Sequence, residues 1–169
     1  MLNQLADEGH DYDIFSILRP TSPFRLSKTI KKAWNKFINE PDADSLRAVE
    51  KCKQHPGKMW SIEDNRMNPI MPFKIDETPW HSSQYTSLPE VYVQDASLEI
   101  AWTRIALEEN TIAGENIMPF ISSGLEGFDI NLLEDWVMAK YYLNKGLASL
   151  PIINDLKYDI QKTQGETYG

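Results

Sequence analysis

Asp11-Tyr12-Asp13-Ile14-Phe15-Ser16-Ile17-Leu18-Arg19-Pro20-Thr21-Ser22-Pro23-Phe24-Arg25, DYDIFSILRPTSPFR, decides how the rest of the chain is read. Tyr12 to Leu18 is short, apolar and partly β-branched, which predicts a buried strand. Pro20 and Pro23 end it, because neither can donate to a ladder. Beyond them Leu26, Ile30, Ala33, Trp34, Phe37 and Ile38 recur at helical spacing, with Lys28, Lys31, Lys32 and Lys36 mostly between. This predicts an amphipathic helix capped by Ser27 and ending near Asn39, with Pro41 as the stop. Ser45 to Val49 reads as a second strand. Strand, helix and strand make a βαβ unit, whose expected outcome is an α/β fold with a parallel sheet.

The 169 residues fit one domain, long enough to bury roughly 70% of the unfolded surface. A net charge of −8 argues against general nucleic-acid binding, which needs a basic face to displace counterions. It leaves room for a local anion site. Cys52 is the single cysteine, so an internal disulfide and a cysteine-based zinc site are both excluded. His10, His55 and His81 share no metal-ligand spacing. No apolar run approaches the ~20 residues of a membrane span, and the N-terminus has no signal-peptide pattern. The expectation is a cytoplasmic protein with no membrane partner.

Residues 52–90 hold Pro56, Pro69, Pro72, Pro79 and Pro89 with scattered aromatics. They read as loops with short strands near Met59–Ile62 and Ile70–Ile75. An irregular insertion this long is expected to be functional or an interaction arm. Val91 to Val93 is a short strand, Ser97 to Leu107 fits strand or helix, and Ile117 to Ile121 is another short apolar run. Gly124 and Gly127 mark a turn. Leu132 to Leu143 is a helix, with Asn131 as N-cap and Glu134 completing a capping box. The division is an α/β domain over residues 1–146, with the insertion at about 60–87, and a tail over 147–169.

Several clusters carry chemistry. In LRPTSPFR, Arg19 and Arg25 suit carboxylate or phosphate oxygens, and Thr21 and Ser22 offer hydroxyls at the carboxyl end of a strand, where open α/β sheets bind ligands. The plain alternative is a proline-stiffened turn with capping hydroxyls. Asp129 precedes a helix whose first turn holds Glu134 and Asp135, a placement that suits Mg²⁺ or simple helix-end compensation. Lys58, in His55-Pro56-Gly57-Lys58, either presents its ammonium to an anion or is a solvated surface lysine. Gln94, Asp95 and Glu99 interrupt an apolar stretch, facing a ligand or alternating outward from a half-buried strand.

The order of these features resembles the acylneuraminate cytidylyltransferase family, which makes CMP-activated sialic acids and related nonulosonates. LRPTSPFR is similar to the family's L-Q-P-T-S-P-L-R. Asp44-Ser45-Leu46 resembles its D-S-V or D-S-A strand start. His55-Pro56-Gly57-Lys58 resembles H-P-x-K, Leu88-Pro89-Glu90-Val91-Tyr92 resembles L-P-x-x-Y, and Asp129-Ile130-Asn131 resembles D-I-D before a helix. The resemblance implies a Rossmann-like nucleotide-diphospho-sugar transferase fold, here an N-terminally incomplete three-layer sheet. It implies transfer of CMP from CTP to an acidic sugar with release of pyrophosphate, assisted by Mg²⁺. It also implies a substrate cleft lined by Arg19, Thr21, Ser22, Arg25, Lys58, Gln94 and Asp95, a metal at Asp129, and a homodimer built through the 60–87 arm.

The departures are specific. Arg19 stands at the family's Gln, Asn131 at the second acid of D-I-D, and Gln94-Asp95-Ala96 where N-G-A follows. Met1 to His10 holds no counterpart of the glycine-rich basic loop that cradles the triphosphate in the family. The chain therefore resembles the C-terminal two-thirds of a member and is expected to be incompetent in turnover alone, with an unpaired apolar edge where further strands would pair. Two alternatives stay open: a degenerate, non-catalytic binding or dimerisation module, and a sugar nucleotidyltransferase using another base.

Overall fold

The computed structural model describes residues 2–152. The tail from Ile153 to Gly169 lies outside the described residues. Four strands form the main sheet: β1 (Ile14–Ile17), β2 (Ser45–Lys51), β7 (Tyr92–Trp102) and β8 (Ile117–Ile121). Helix α2 (Ser27–Ile38) crosses from β1 to β2, and α1 (Leu2–Asp7), α3 (Thr103–Glu108) and α4 (Leu133–Asn144) complete the helices. Two small hairpins, β3–β4 (Trp60–Glu63, Arg66–Pro69) and β5–β6 (Lys74–Ile75, Thr78–Pro79), build the arm.

The sheet order is β1-β7-β2-β8. β7 pairs antiparallel with both β1 and β2, while β2 and β8 pair parallel. The expectation of a parallel sheet is therefore corrected to a mixed one. β1 and β2 do run in the same direction through α2, but they are not neighbours. β7 holds the place between them because its central residues suit burial on both faces: Leu98, Glu99, Ile100 and Ala101 are all buried, and Glu99 meets an arginine across the strand pair. Buried residues on both sides of a central strand produce a continuous rather than an alternating pattern.

One face of the sheet packs on α2. Ala33 and Phe37 from the helix meet Leu46, Ala48, Leu98, Ile100 and Phe120, with Ile14, Trp102 and Met118 at the margin. Trp34 and Ile38, placed on the same stripe by spacing, remain about two-fifths exposed. Ser27 is the first helical residue instead of the cap, and Leu26 occupies the cap position without a side-chain bond. The opposite face is covered by the short helices α1 and α3 and by the 109–116 segment. There Arg47 donates to the Ile112 carbonyl at 2.9 Å and Ser45 to the Ala113 carbonyl at 2.5 Å. The coarse α/β expectation stands, as helices and a mixed sheet.

β7 absorbs two separate sequence readings. Val91–Val93 and the ambiguous Ser97–Leu107 are one strand followed by a short helix. Its pairing to β2 jumps from Val49↔Gln94 to Arg47↔Glu99. Asp95 to Leu98 thus leave the ladder as a bulge, a device that re-aims side chains.

α4 starts one residue later than expected. The Asp135 carboxylate, not Asn131, closes its first turn, accepting from the backbone N–H of Asn131 at 3.0 Å and of Leu132 at 2.9 Å. Asn131 instead donates its side-chain amide to Asp129 at 2.9 Å.

Candidate functional site

The three like-directed strands β1, β2 and β8 end on one side of the sheet. There the 19–25 loop, the residues after Lys51, the start of β7 and the 122–131 segment come together. A cleft of about 440 Å³ opens at this side, lined among others by Glu50, Lys53, Gln94, Asp95, Asp129 and Asn131. Its size lies within the range of small-ligand sites, and its position is the crevice outside the carboxyl ends of the strands.

Of the residues picked out by sequence, Gln94, Asp95 and Asp129 line this cleft. Asp95 is buried. Its Oδ1 accepts from the Ser97 N–H at 2.9 Å and its Oδ2 from the Ser122 hydroxyl, so it ties the β7 bulge to the end of β8. Gly127 is required beside it, since a Cβ there would stand 2.5 Å from Asp95 Oδ2. Asp129 differs. One oxygen accepts from Asn131, and Oδ1 is buried with no hydrogen-bond partner among the described residues. An orphaned carboxylate oxygen at a cleft wall is a place for a donor or a cation.

Arg19, Thr21, Ser22 and Arg25 buttress the cleft from one side and are not among its lining residues. The Thr21 carbonyl accepts from the Ile130 N–H at 2.9 Å, which fixes the PTSP loop against the Asp129 segment. Arg25 donates to the Arg19 carbonyl at 3.2 Å and to the Ser97 carbonyl, binding the loop to the bulge. Burial pushes the Arg25 guanidinium below its ordinary value. Ser22 is buried and its hydroxyl has no hydrogen-bond partner among the described residues. Arg19 pairs with Glu99 at 3.5 Å, and Glu99 pairs more closely with Arg47. Arg47 is also held below its ordinary value, first by burial and then by the charge of Arg19.

Lys58 stands elsewhere. Its ammonium donates to the His81 carbonyl at 2.9 Å and to the Ser83 carbonyl, closing the root of the arm. His55 accepts from the Gly57 N–H through Nδ1 at 3.0 Å and bonds the Pro89 carbonyl through Nε2 at 2.9 Å. The HPGK segment is thus a clasp between the arm and the sheet.

Sequence reading missed Glu50, Lys53 and Phe128 in the cleft, and Arg47 behind it. The usable signal was position, because Glu50 and Lys53 flank the carboxyl end of β2 and the strand-end rule applies to β2 as much as to β1. Arg47 sits mid-strand, and its partners across the fold, Glu99 and the Ile112 carbonyl, explain a buried arginine there. Among the described residues no three His, Cys, Asp or Glu side chains cluster as metal ligands, and no helix is long and apolar enough to cross a membrane.

No protein-family model matches the chain, and no curated protein sequence matches it. What fold and site define is a mixed α/β domain with a cleft, walled by charged and amide side chains among apolar ones, at the carboxyl ends of its like-directed strands.

Proposed function

We propose that this domain is a nucleotidyltransferase of the acylneuraminate cytidylyltransferase type, with a Rossmann-like ancestry, whose cleft receives an acidic sugar. In that reaction a sugar hydroxyl attacks the α-phosphate of CTP and pyrophosphate leaves. The observation that carries the reading is that Gln94-Asp95 and the Asp129 segment line one cleft which the PTSP loop buttresses, three separate stretches of sequence brought together. Catalysis of this kind depends on positioning and charge neutralisation more than on a protein nucleophile.

The donor set suits Mg²⁺, which takes one or two protein carboxylates and completes its shell with phosphates and water. Asp129, at the cleft wall, would hold it; the ion, when bound, would neutralise charge on the phosphates. Asn131 would act by orienting Asp129 through its amide, which accounts for an amide at the D-I-D position. Gln94 would meet the sugar, and Asp95 would hold the bulge that presents Gln94.

The glycine-rich basic loop is not among these residues, so turnover by this chain alone is expected to be small. The assay is pyrophosphate release from CTP with Mg²⁺ across a panel of acidic nine-carbon sugars. Robust release from the 169-residue chain would overturn the expected incompetence. Continued silence in a form extended by such a loop would overturn the enzyme reading.

The dimer is proposed through the arm. The β3–β4 hairpin turns at Asp64 and Asn65, both with positive φ, as a two-residue hairpin loop requires. Ile62 and Met67 face each other across it and are 75% and 57% exposed, an apolar face that suits a second copy.

A further inference from the structure

Helix α4 packs on the domain by one narrow face. Ala139 is buried there, and the half-buried Tyr142 sets its ring 5.5 Å from Phe128, edge to face. The opposite face is apolar and open. Leu133 is 75% exposed, Val137 58%, and Trp136 and Tyr141 49% each. Leu133, Val137 and Tyr141 recur every four residues, with Trp136 beside them, so they form one stripe along the helix. The outward face of a solvated helix ordinarily carries polar groups, and a contiguous apolar stripe marks a contact surface.

The flanking charges say what covers it. Glu134 borders the stripe in the first turn of α4, and Lys145 stands at its C-cap. Three helical turns separate them, so both lie on the same flank. Both are exposed, and neither has an ion-pair partner among the described residues. When two copies of α4 lie antiparallel about a two-fold axis, like flanks meet. Glu134 of each copy then faces the partner's Lys145. The same register sets Val137 against the partner's Tyr141, in both directions. Opposed helix dipoles favour this arrangement further. The four apolar side chains present about 500 Å² on one copy, so a pair buries about 1,000 Å², the lower end for a specific interface.

We propose that α4 is a self-association surface, pairing antiparallel with α4 of a second copy. Val137 and Tyr141 form its centre and Glu134 with Lys145 its two ends. The inference does not rest on the sugar reading, and the face is separate from that of the arm. Its small area places the pairing on the order of hundreds of micromolar, above the range in which the arm acts. With both faces engaged, the arm's dimers join in larger assemblies.

The test is sedimentation of the full chain carrying Ile62→Lys and Met67→Glu, which removes the arm's contact, from about 10 to about 800 µM. A monomer is expected at the low end and a reversible dimer as concentration rises. Val137→Asp on that background should abolish the dimer. Glu134→Lys alone and Lys145→Glu alone each bring like charges together and should weaken association by roughly fivefold or more. The two exchanged together should restore it, which a folding defect would not do. A chain that stays monomeric to the highest concentration overturns the proposal. Association that survives Val137→Asp overturns it, and so does a double exchange as weak as either single one.

Discussion

Arg25 and Asp95 look alike in sequence, as polar residues next to a motif, yet they do different work from Asp129. Arg25 and Asp95 are bound to backbone and hydroxyl partners, whereas one Asp129 oxygen has no hydrogen-bond partner among the described residues. Gly127 makes the cleft sensitive at this scale. Gly127→Ala would drive a methyl against the Asp95 carboxylate, and overpacking of this kind costs about 1–3 kcal/mol, read as a lower denaturant midpoint at unchanged slope. Asp44 gives a pH-dependent case. It accepts from the Asn116 N–H at 2.9 Å and the Glu115 N–H at 3.0 Å, and these bonds, the first above all, hold its carboxyl below the ordinary range. A depressed folded value means its contribution is present above the unfolded value, about 3.9, and is lost as pH falls through the folded one. The melting-temperature gap between wild type and Asp44→Asn should narrow as pH drops from about 5 towards 2; a constant gap would contradict the assignment. Sequence reading found Asp129 through its place before a helix. It left Arg19 open, because the partner that explains it, Glu99, lies across the sheet in a register that only β7 determines.

At the scale of elements, local signals served α2 well and β7 poorly. α2 declares itself through its apolar stripe and the Pro41 stop. β7 is long, buried on both faces at its centre and broken by a bulge, so period-two alternation fails along it. α4 was legible as a helix but its cap was not, since Asn131 and Asp135 are both good acceptors for the first turn. The geometry gives that role to Asp135. Asp135→Ala should therefore destabilise the chain by about 1 kcal/mol, and Asn131→Ala by less, both measured by denaturant unfolding. An equal or reversed effect would contradict the assignment of the cap. The 52–90 insertion was legible as irregular from its prolines, and its hairpins form where Asp64-Asn65 and Asp76-Glu77 allow tight turns.

For the molecule as a whole, helices alternating with strands pointed to an α/β fold, but strand order lay beyond local reading. Placing β7 between β1 and β2 is a matter of long-range pairing. It leaves β1 and β8 as the edge strands of the main sheet, β1 beside an apolar groove lined by Leu2, Leu5, Phe15 and Ile17. The apolar hairpin face of the arm belongs to the same scale. Sedimentation at micromolar concentration should show a dimer that Ile62→Lys with Met67→Glu converts to a monomer. The exposed positions make the effect on folding small, within about 0.5 kcal/mol each. A monomeric wild type would contradict the arm's role. The central claim is that the cleft beside Gln94, Asp95 and Asp129 receives an acidic sugar. Calorimetric titration of the 169-residue chain with N-acetylneuraminate and with neutral N-acetylmannosamine tests it most directly. The account predicts saturable binding of the acid at least tenfold tighter than of the neutral sugar, about 1.4 kcal/mol. Absence of binding, or equal binding of the two, would contradict it.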